Sequence, residues 1–396
     1  MGTSLLVVNA GSSSLKFSIF AAADAPNPVL LFNGQIERIG TQPRLLVRDA
    51  SGTEVANRSY ATKDVSGHDG AIRAVAAWLG TTGESGQLFA AGHRVVHGGP
   101  ELTTPVLIDD AVMARLERLV PLMPLHQPAN LAAIRALRKH LPKLPQVACF
   151  DTSFHRAHSA VVDRFALPDA YYQEGVRRYG FHGLSYEFIN SRLPEVAPEI
   201  ARGRVIIAHL GSGASMCALR NGCSVDSTMT FSALDGLPMN TRSGALDPAV
   251  IIYLIRHKGM SVEAVEDLLY RNSGLHGVSG ISGDIRDLLA SGEPSAKLAL
   301  DYFVFHVCRH VGALVAVLGG LDGIVFTAGI GENSPDIRER ICCELGWLGL
   351  VIDRDANRKG HPRITASGSR VAAWVIPTNE ELVIAAQTLV LVRRIA

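Results

Sequence analysis

Residues 5–19 read LLVVNAGSSSLKFSI, and residues 205–219 read VIIAHLGSGASMCAL. Both stretches contain an apolar run, a polar residue, Gly-Ser with further small residues, and a second apolar run. Gly11 aligns with Gly211, and Ser12 with Ser212. Each stretch is typical of a strand, a tight turn and a second strand. Because the two copies lie about half a chain apart, they favour a duplicated domain, although two unrelated hairpins would show the same pattern.

Length and composition limit the class of protein. The chain has 396 residues, of which 47% are apolar and 19% are charged, so it can bury a large core and has room for two domains. The 38 Lys and Arg residues nearly balance the 37 Asp and Glu residues, whereas nucleic-acid-binding proteins usually have a basic excess. We therefore expect no nucleic-acid partner.

The same analysis predicts a cytoplasmic protein without a membrane partner. The N-terminal stretch lacks the basic segment of a signal peptide. The longest apolar stretch, residues 311–326, is interrupted by Gly319, Gly320 and Asp322, so we expect no membrane span of about 20 residues. The six cysteines show no CxxC spacing, which argues against a disulfide framework in a chain of this length.

Turn and capping residues predict where helices and strands lie. We expect helices over residues 128–141, 249–258, 296–318 and 336–345, and a last helix in which Thr378 and Glu381 have capping-box spacing. We expect strands over residues 92–99, 146–150, 204–210, 323–329 and 372–378. Strands that alternate with helices predict an α/β protein.

Three glycine-rich turns directly follow apolar strands, at residues 11–14, 211–215 and 329–333. Such turns can aim several backbone N–H groups at one anion, and glycine allows a close approach. The chain has no Gly-Lys dipeptide and no GxGxxG pattern, which excludes the P-loop and the dinucleotide fingerprint. Lys16 lies five residues past the first of these glycines. Together these turns favour phosphate binding over ordinary hairpins.

Two arginines and one aspartate are further candidates. Arg94 lies in a predicted strand and Arg242 in a turn, where each could hold carboxylate or phosphoryl oxygens or form a structural ion pair. Asp151 follows the predicted strand 146–150, at the edge where open α/β sheets place their ligands. A local turn or helix cap would explain Asp151 equally well.

The histidines allow two interpretations. His126, His182 and His209 each lie beside a turn, where a neutral imidazole could donate to a charged transition state or serve a structural role. His93 and His97 are four residues apart in a predicted strand, without an HExxH pattern, so we do not expect a zinc site there.

Eight motifs together resemble the acetate kinase family of acyl-phosphate-forming kinases, in order from residue 5 to residue 384. They are residues 9–17 (NAGSSSLKF), 92–99 (GHRVVHGG), 150–152 (FDT), 178–183 (RYGFHG), 209–211 (HLG), 241–244 (TRSG), 326–333 (FTAGIGEN) and 377–382 (PTNEEL). The resemblance implies an α/β fold of two duplicated actin-like, sugar-kinase-like ATPase domains, with the active site in the cleft between them. Domain I would comprise residues 1–152 plus 384–396, and domain II residues 153–383.

The resemblance also implies an activity. The family transfers the γ-phosphoryl group of ATP reversibly and in line to acetate, giving acetyl phosphate and ADP. It implies Mg²⁺ as the cofactor, with Mn²⁺ as a possible substitute, and a homodimer. A propionate or butyrate kinase of the same family is the alternative, and a non-catalytic actin-like ATPase clamp is a remote one.

Family roles transfer to matching positions of this chain. The catalytic positions are Asp151, His182 and Arg242. The substrate positions are Arg94 for the carboxylate and Val96, Leu125, Phe181 and Ala233 for the acyl group. The metal positions are Asn9 and Glu380. The nucleotide positions are Lys16 for the phosphates, then His209, Leu210, Gly211, Ser212, Gly213, Asp284, Ile285, Arg286, Gly329, Ile330, Gly331, Glu332 and Asn333.

Two details qualify these roles. Acetate is already ionised at neutral pH, so we interpret Asp151 as a ligand of Mg²⁺ or its water shell, or as an orienter of Arg94, rather than as a base. The chain departs from the common family pattern at Ser212 and Gln127, where Asn is usual, and at Ala233, where Pro is usual. The last departure predicts that propionate is accepted more readily, with acetate still preferred.

Overall fold

The structure, a computed structural model, describes residues 4–21, 28–82 and 88–394. Its strands are β1 Ser4–Ala10, β2 Leu15–Ala21, β3 Val29–Glu37, β4 Arg44–Asp49, β5 Glu54–Ser59, β6 Leu88–Val95, β7 Val106–Leu107, β8 Gln146–Phe150, β9 Arg204–Leu210, β10 Ala214–Arg220, β11 Cys223–Ser227, β12 Gly323–Thr327 and β13 Ala372–Val375. Its α-helices are α1 His68–Thr82, α2 Asp110–Arg118, α3 Gln127–His140, α4 Asp169–Gln173, α5 Gly183–Val196, α6 Pro248–Lys258, α7 Val262–Arg271, α8 Gly274–Ser279, α9 Ile285–Ala290, α10 Pro294–Leu318, α11 Ala328–Asn333, α12 Pro335–Glu344, α13 Arg354–Arg358 and α14 Glu380–Arg393.

The chain divides into two compact units. Unit 1 comprises Met1–Ser153 and Asn379–Ala396, and unit 2 comprises Phe154–Thr378. The second boundary therefore lies five residues before the predicted one at residue 384. It lies there because α14 begins at Glu380 and packs on β1, β6 and β8 of unit 1, and a single helix is not divided between two cores.

The five-stranded sheet of unit 2 repeats the topology of five neighbouring strands in the eight-stranded sheet of unit 1. Unit 1 has the strand order β5-β4-β3-β2-β1-β6-β8-β7, and unit 2 has the order β11-β10-β9-β12-β13. In each sheet an antiparallel hairpin, β1–β2 or β9–β10, is followed by two parallel strands, β6 and β8 or β12 and β13. The sequence similarity between residues 5–19 and 205–219 therefore reflects a duplicated α/β unit rather than two unrelated hairpins.

The cores explain why the central strands are apolar on both faces. In unit 1, Trp78 of α1 packs against the rings of Phe17 and Phe32, at centroid distances of 5.7 and 5.4 Å. In unit 2, residues 205–210 of β9 are buried along their whole length, since α5 and α10 contact this strand. Parallel strands covered by helices on both faces need such continuous apolar runs.

Several predicted boundaries differ from the structure. Strand β6 ends at Val95 rather than at residue 99, because Gly98 lies against the backbone of Leu102 and Gly99 has a φ of +65°. The cap of α14 is Asn379, whose side-chain oxygen accepts from the Leu382 N–H at 2.9 Å, so the capping box predicted for Thr378 and Glu381 is wrong. Residues 329–333, predicted as a turn, lie in helix α11.

The sequence analysis expected no apolar segment long enough to span a membrane, and helix α10 differs from that expectation. It has 25 residues and is long and apolar enough to cross a membrane by length and composition. A core helix passes the same test, and α10 packs against α8, α9, α12 and β10. Helix α10 buries Phe303, Val307 and Val311 within unit 2, whereas its Leu298 and Phe305 side chains are 57% and 63% exposed.

Candidate active site

An arginine–carboxylate cluster lies at the carboxyl ends of the parallel strands of unit 1. Arg94 is on β6, and Asp151 directly follows β8, its parallel neighbour. The Arg94 guanidinium donates to both Asp151 oxygens, from Nε at 3.0 Å and from Nη2 at 2.5 Å. Asp151 is 1% exposed. The structure thus brings together two residues that the sequence analysis selected separately.

Two further predicted residues surround Arg94. Its Nη1 donates to the Asn9 side-chain oxygen at 3.3 Å, and its Nε lies 3.8 Å from a Glu380 carboxylate oxygen. Lys16 on β2 pairs directly with Asn9 across the hairpin and is exposed. Unit 1 therefore gathers the predicted metal positions, the carboxylate-binding arginine and the phosphate-binding lysine around one strand edge.

The charges of this cluster are mutually dependent. Burial raises the pKa of Glu380 to about 7, since the neighbouring carboxylates add to the effect while Arg94 opposes it. Burial disfavours the charged form of Arg94, but Asp151 and Glu380 together raise its pKa above the usual arginine value. The cluster carries more carboxylate than cation, and it would be stabilised by an additional positive charge.

Asn130 on α3, which the sequence analysis missed, supports this edge. Its amide nitrogen donates to the Ala10 carbonyl at 2.8 Å, and its amide oxygen accepts from the Val96 N–H at 3.0 Å. Both bonds are buried and hold the ends of β1 and β6 at a fixed separation. A lone Asn inside a predicted helix carries no sequence signal for such a role.

In unit 2, His182 occupies an unusual backbone position. It precedes α5 and has φ 57° and ψ 24°, a left-handed conformation that is unfavourable for a residue with a Cβ. The ring of His182 stacks on that of His209, with centroids 4.1 Å apart and an angle of 17° between the planes. Such a conformation persists when the surroundings determine it, and it is often found at functional sites.

The segment before His182 is held by side chains of residues 155 and 156. His155 bonds through Nε2 to the Phe181 carbonyl at 3.0 Å, and Arg156 donates to the carbonyls of Arg178 and Tyr179. The His155 ring also packs on Gly180, where a Cβ would lie 2.5 Å from the ring. Burial lowers the pKa of His155 well below its usual value. A neutral, fixed imidazole thus supports the backbone that carries His182.

Arg242 lies close to the same glycine turn as His182. Its Nη1 donates to the Ala233 carbonyl at 2.9 Å and lies 3.7 Å from the Met239 sulfur. A Cβ placed on Gly213 would be 3.5 Å from His182 Nε2 and 3.7 Å from Arg242 Nη1. The two predicted catalytic residues of unit 2 therefore face one point above the second glycine-rich turn.

A cavity of about 380 Å³ in unit 2 contains most of the predicted nucleotide positions. It is lined by Gly211, Ser212, Asn240, Asp284, Ile285, Arg286, Gly329, Ile330, Asn333 and Ser334. Asn240 and Ser334 were not selected from the sequence. A larger cavity of about 640 Å³ lies beside α9, α10 and α12, and no residue selected from the sequence lines it.

Several predicted nucleotide positions do not line this cavity. Lys16 belongs to unit 1, whereas His209, Leu210, Gly213, Gly331 and Glu332 lie in unit 2 but outside the cavity lining. The Glu332 carboxylate accepts from the backbone N–H groups of Ala328 and Thr378, at 2.7 and 3.1 Å. Glu332 thus fixes the backbone around α11.

The four predicted acyl-pocket residues are divided between the units. Val96 and Leu125 belong to unit 1, and Phe181 and Ala233 to unit 2. Val96, Phe181 and Ala233 are buried, and Leu125 is half-buried. Their common role in binding an acyl group stays a prediction.

The similarity of this chain to known proteins extends over nearly its whole length. The Acetokinase family matches residues 4–386. A Nitrobacter hamburgensis protein named acetate kinase is 55% identical over 386 residues, which covers 98% of this chain and 95% of that protein. The chain belongs to the acetokinase family. A Rhizobium meliloti acetate kinase is 53% identical over 98% of both chains.

Solved structures of acetokinase-family enzymes have the same fold. A propionate kinase from Francisella tularensis superposes with a TM-score of 0.90 at 34% identity, covering 98% of this chain and 99% of that one. Porphyromonas gingivalis acetate kinase gives a TM-score of 0.87 at 34% identity, covering 98% and 100%. The predicted fold, duplicated α/β domains of the actin-like ATPase type, is confirmed.

Proposed function

We propose that this chain is a carboxyl-group phosphotransferase that moves the γ-phosphoryl group of ATP reversibly to acetate, giving acetyl phosphate and ADP. The observation that carries the proposal is its similarity, over nearly all of its length, to proteins named acetate kinase. The positions of the charged groups in both units support it. An acetate oxygen attacks the γ-phosphorus, and the bond from that phosphorus to the oxygen of the leaving ADP breaks.

The residues supply binding and charge compensation rather than covalent catalysis. Arg94 would bind the acetate carboxylate, which needs no base because it is already ionised at neutral pH. His182 and Arg242 would stabilise the charge on the transferring phosphoryl oxygens. The cavity beside Ser212, Ile285 and Ile330 would hold the nucleotide.

The residues of unit 1 fit a magnesium ion. Among the described residues, no group of three or more His, Cys, Asp or Glu side chains is arranged to hold a metal, but Mg²⁺ typically uses one or two carboxylates with waters and substrate phosphates. Asn9 and Glu380 offer hard oxygen donors in a cluster with excess carboxylate. Bound there, Mg²⁺ or Mn²⁺ would neutralise phosphate charge.

Asp151 would orient Arg94, since it accepts two hydrogen bonds from the guanidinium. We expect Asp151→Asn to lower activity by weakening this orientation, with no solvent isotope effect on the chemical step. A clear solvent isotope effect on phosphoryl transfer in the native enzyme would instead contradict this role and indicate acid–base catalysis.

The activity is tested by trapping the product. Acetyl phosphate reacts with hydroxylamine to give acetohydroxamate, so the purified chain with ATP, Mg²⁺, acetate and hydroxylamine should accumulate it. Omission of acetate provides the control. ATP hydrolysis without hydroxamate formation would overturn the proposal and favour the ATPase clamp.

Propionate kinase is the second candidate, favoured by the structural similarity to the Francisella enzyme and by the small Ala233. The same assay with propionate and butyrate ranks the substrates. A higher kcat/KM for propionate than for acetate would establish this alternative.

We also propose a homodimer. Helix α6 has the sequence PAVIIYLIRHK, and none of its residues is buried within the chain. Its apolar side chains Ile252 and Tyr253 are each about half exposed, at 51% and 49%, and a second copy of the chain would cover them. Light scattering should give twice the 42.3 kDa of one chain.

The variant Ile252→Glu should dissociate this dimer, because it would place a charge in an apolar interface. Val161→Glu changes an exposed residue elsewhere and should leave the mass unchanged. A monomeric native chain, or a dimer unaffected by Ile252→Glu, would contradict the assignment.

A cytoplasmic location agrees with ATP as substrate and with six cysteines that form no disulfide.

A further inference from the structure

A chain of buried hydroxyl groups reaches the imidazole of His182. The Ser215 hydroxyl lies 2.7 Å from His182 Nδ1 and 2.5 Å from the Tyr186 hydroxyl. Ser215 and Tyr186 are completely buried. Ser215 is on β10 and Tyr186 is on α5, so side chains from these two elements meet beside the Nδ1 atom of His182.

The neighbouring imidazole has an equivalent arrangement. His209 Nδ1 lies 2.8 Å from the Ser185 hydroxyl, which lies 2.9 Å from the Thr378 hydroxyl. The two rings stack, and each is bonded at Nδ1 by a serine that is bonded in turn to another hydroxyl. In both rings, therefore, a serine hydroxyl anchors Nδ1.

The anchoring of Nδ1 determines which atom of His182 faces the glycine-rich turn. Nε2 lies 3.5 Å from the position a Cβ would take at Gly213, next to Arg242. A serine hydroxyl can donate to Nδ1 of a neutral imidazole or accept from Nδ1–H of an imidazolium. Ser215 therefore keeps the ring orientation in either protonation state, unlike a carboxylate, which would accept only.

We propose that Ser215, supported by Tyr186, is a positioning residue for phosphoryl transfer, which fixes His182 so that Nε2 is presented to the transferring group. This proposal rests on the proposed function, which supplies the phosphoryl-transfer step. The sequence pattern did not reveal it, since serines are common in glycine-rich turns.

The kinetic test compares Ser215→Ala with Ser215→Thr, which keeps the hydroxyl. We expect Ser215→Ala to lower kcat by about ten- to a hundredfold through misorientation of His182, while KM for ATP and acetate changes less than about threefold. Ser215→Thr should retain most of the activity. Ser191→Ala, which removes an exposed hydroxyl from the same helix as Tyr186, is the matched control and should leave kcat unchanged.

A double-mutant cycle separates positioning from a general structural effect. If Ser215 acts through His182, then adding Ser215→Ala to His182→Ala should change kcat by less than about twofold. An equal loss in both backgrounds would overturn the proposal, as would a kcat of Ser215→Ala within twofold of the native value.

A spectroscopic test covers the case in which Ser215→Ala does not fold. Tyr186→Phe keeps the ring and removes one hydroxyl of the chain. We expect the ¹⁵N resonance of His182 Nδ1 to shift in this variant and to stay unchanged in Ser191→Ala. An unshifted resonance in Tyr186→Phe would overturn the proposal. Because the resonance is measured without substrate, failure of the proposed function itself would appear separately, as missing acetohydroxamate.

Discussion

At the scale of single residues, the two arginines of the candidate site are held by different partners. Arg94 forms a two-point ion pair with the buried carboxylate of Asp151. Arg242 donates to the Ala233 carbonyl and approaches the Met239 sulfur, both of which are neutral. Arg242 also lies 3.7 Å from the position that a Cβ would take at Gly213, next to His182 Nε2, where it would stabilise charge that develops on the transferring group in the proposed reaction.

We therefore expect Arg242→Ala to lower kcat by about 10² or more, with a modest change in KM for ATP, because its partner charge develops mainly during transfer. Arg286→Ala is the matched control. Arg286 is exposed, lines the nucleotide cavity and pairs with Asp284, so its loss should raise KM for ATP more than it lowers kcat. Steady-state kinetics measure both, and a kcat for Arg242→Ala within a few-fold of the native value would refute the assigned role.

Ala233 leads to a prediction about substrate size. Alanine lacks the ring carbons of proline, and one methylene in an apolar pocket contributes only about 1–3 kcal/mol to discrimination. We expect Ala233→Pro to lower the ratio of kcat/KM for propionate to that for acetate. KM for ATP is measured as a control. It reveals whether the substitution also disturbs Arg242, which donates to the carbonyl of residue 233. An unchanged ratio would show that residue 233 does not determine acyl size.

Residues within a distinctive motif could be predicted from the sequence, whereas hydroxyl and amide groups outside such motifs could not. Arg94 and Asp151 were selected separately and meet in the structure. Ser215 and Asn130 make equally specific bonds, but Ser and Asn occur at many unrelated positions, and their partners are distant in the sequence. Only the folded arrangement reveals them.

At the scale of secondary-structure elements, hydrophobic runs and helix caps predicted the types of element better than their ends. Helix α6 begins after Asp247, whose side chain accepts from Ala249 N–H, and it ends before Gly259 with a φ of +67°, as its sequence indicated. The end of β6 depends on tertiary contacts at Gly98. The cap of α14 depends on which of the neighbouring residues Thr378 and Asn379 takes the capping position. Local patterns do not resolve such choices.

The connection between α10 and β12 provides a pH-dependent prediction. Asp322 accepts from Arg204 N–H at 2.7 Å and pairs with its guanidinium at the start of β9, and the hydrogen bond from the Arg204 side chain lowers the pKa of Asp322 below 3.8. Because the folded pKa is the lower one, this stabilisation is present above pH 3.8 and is lost as the pH falls through the folded value.

We expect Asp322→Asn to lower Tm at pH 7, with a difference from the native chain that shrinks as the pH falls below about 4. The effect should be modest, since both side chains are about one-third exposed. Thermal unfolding across this pH range measures it. A Tm difference that grows towards acid pH would contradict the assigned pKa direction.

At the scale of the whole molecule, the duplication could be predicted because both copies keep the same hairpin and glycine turn. The extent of unit 1 could not be predicted to the residue, since nothing in the local sequence marks Asn379 as the start of its last segment. The structure shows that α14 completes the core of unit 1 against β6. Gly92 makes this close packing possible, because a Cβ there would collide with Thr388 and lie 2.7 Å from Ile384.

We expect Gly92→Ala to destabilise unit 1 by about 1–3 kcal/mol, through overpacking against α14. Gly80→Ala is the matched control. Gly80 lies on the exposed face of α1 with nothing within 4 Å of a Cβ, so alanine should stabilise by about 0.5 kcal/mol. Denaturant unfolding measures both changes, and equal stability of the two variants would show that the packing of α14 tolerates a methyl group at residue 92.

The return of the chain to unit 1 has a consequence for how the protein is made. A ribosome releases the first 153 residues well before it releases α14, with the 225 residues of unit 2 synthesised in between. At about 5–20 residues per second, the nascent first unit waits roughly 10–45 s with the apolar surface of β6 and β8 uncovered. Unit 2, which is continuous in sequence, can fold during this time. Helix α14, which is translated after unit 2, thus completes a unit that was started before it, and a chain truncated before α14 would leave that surface open to chaperones and proteases.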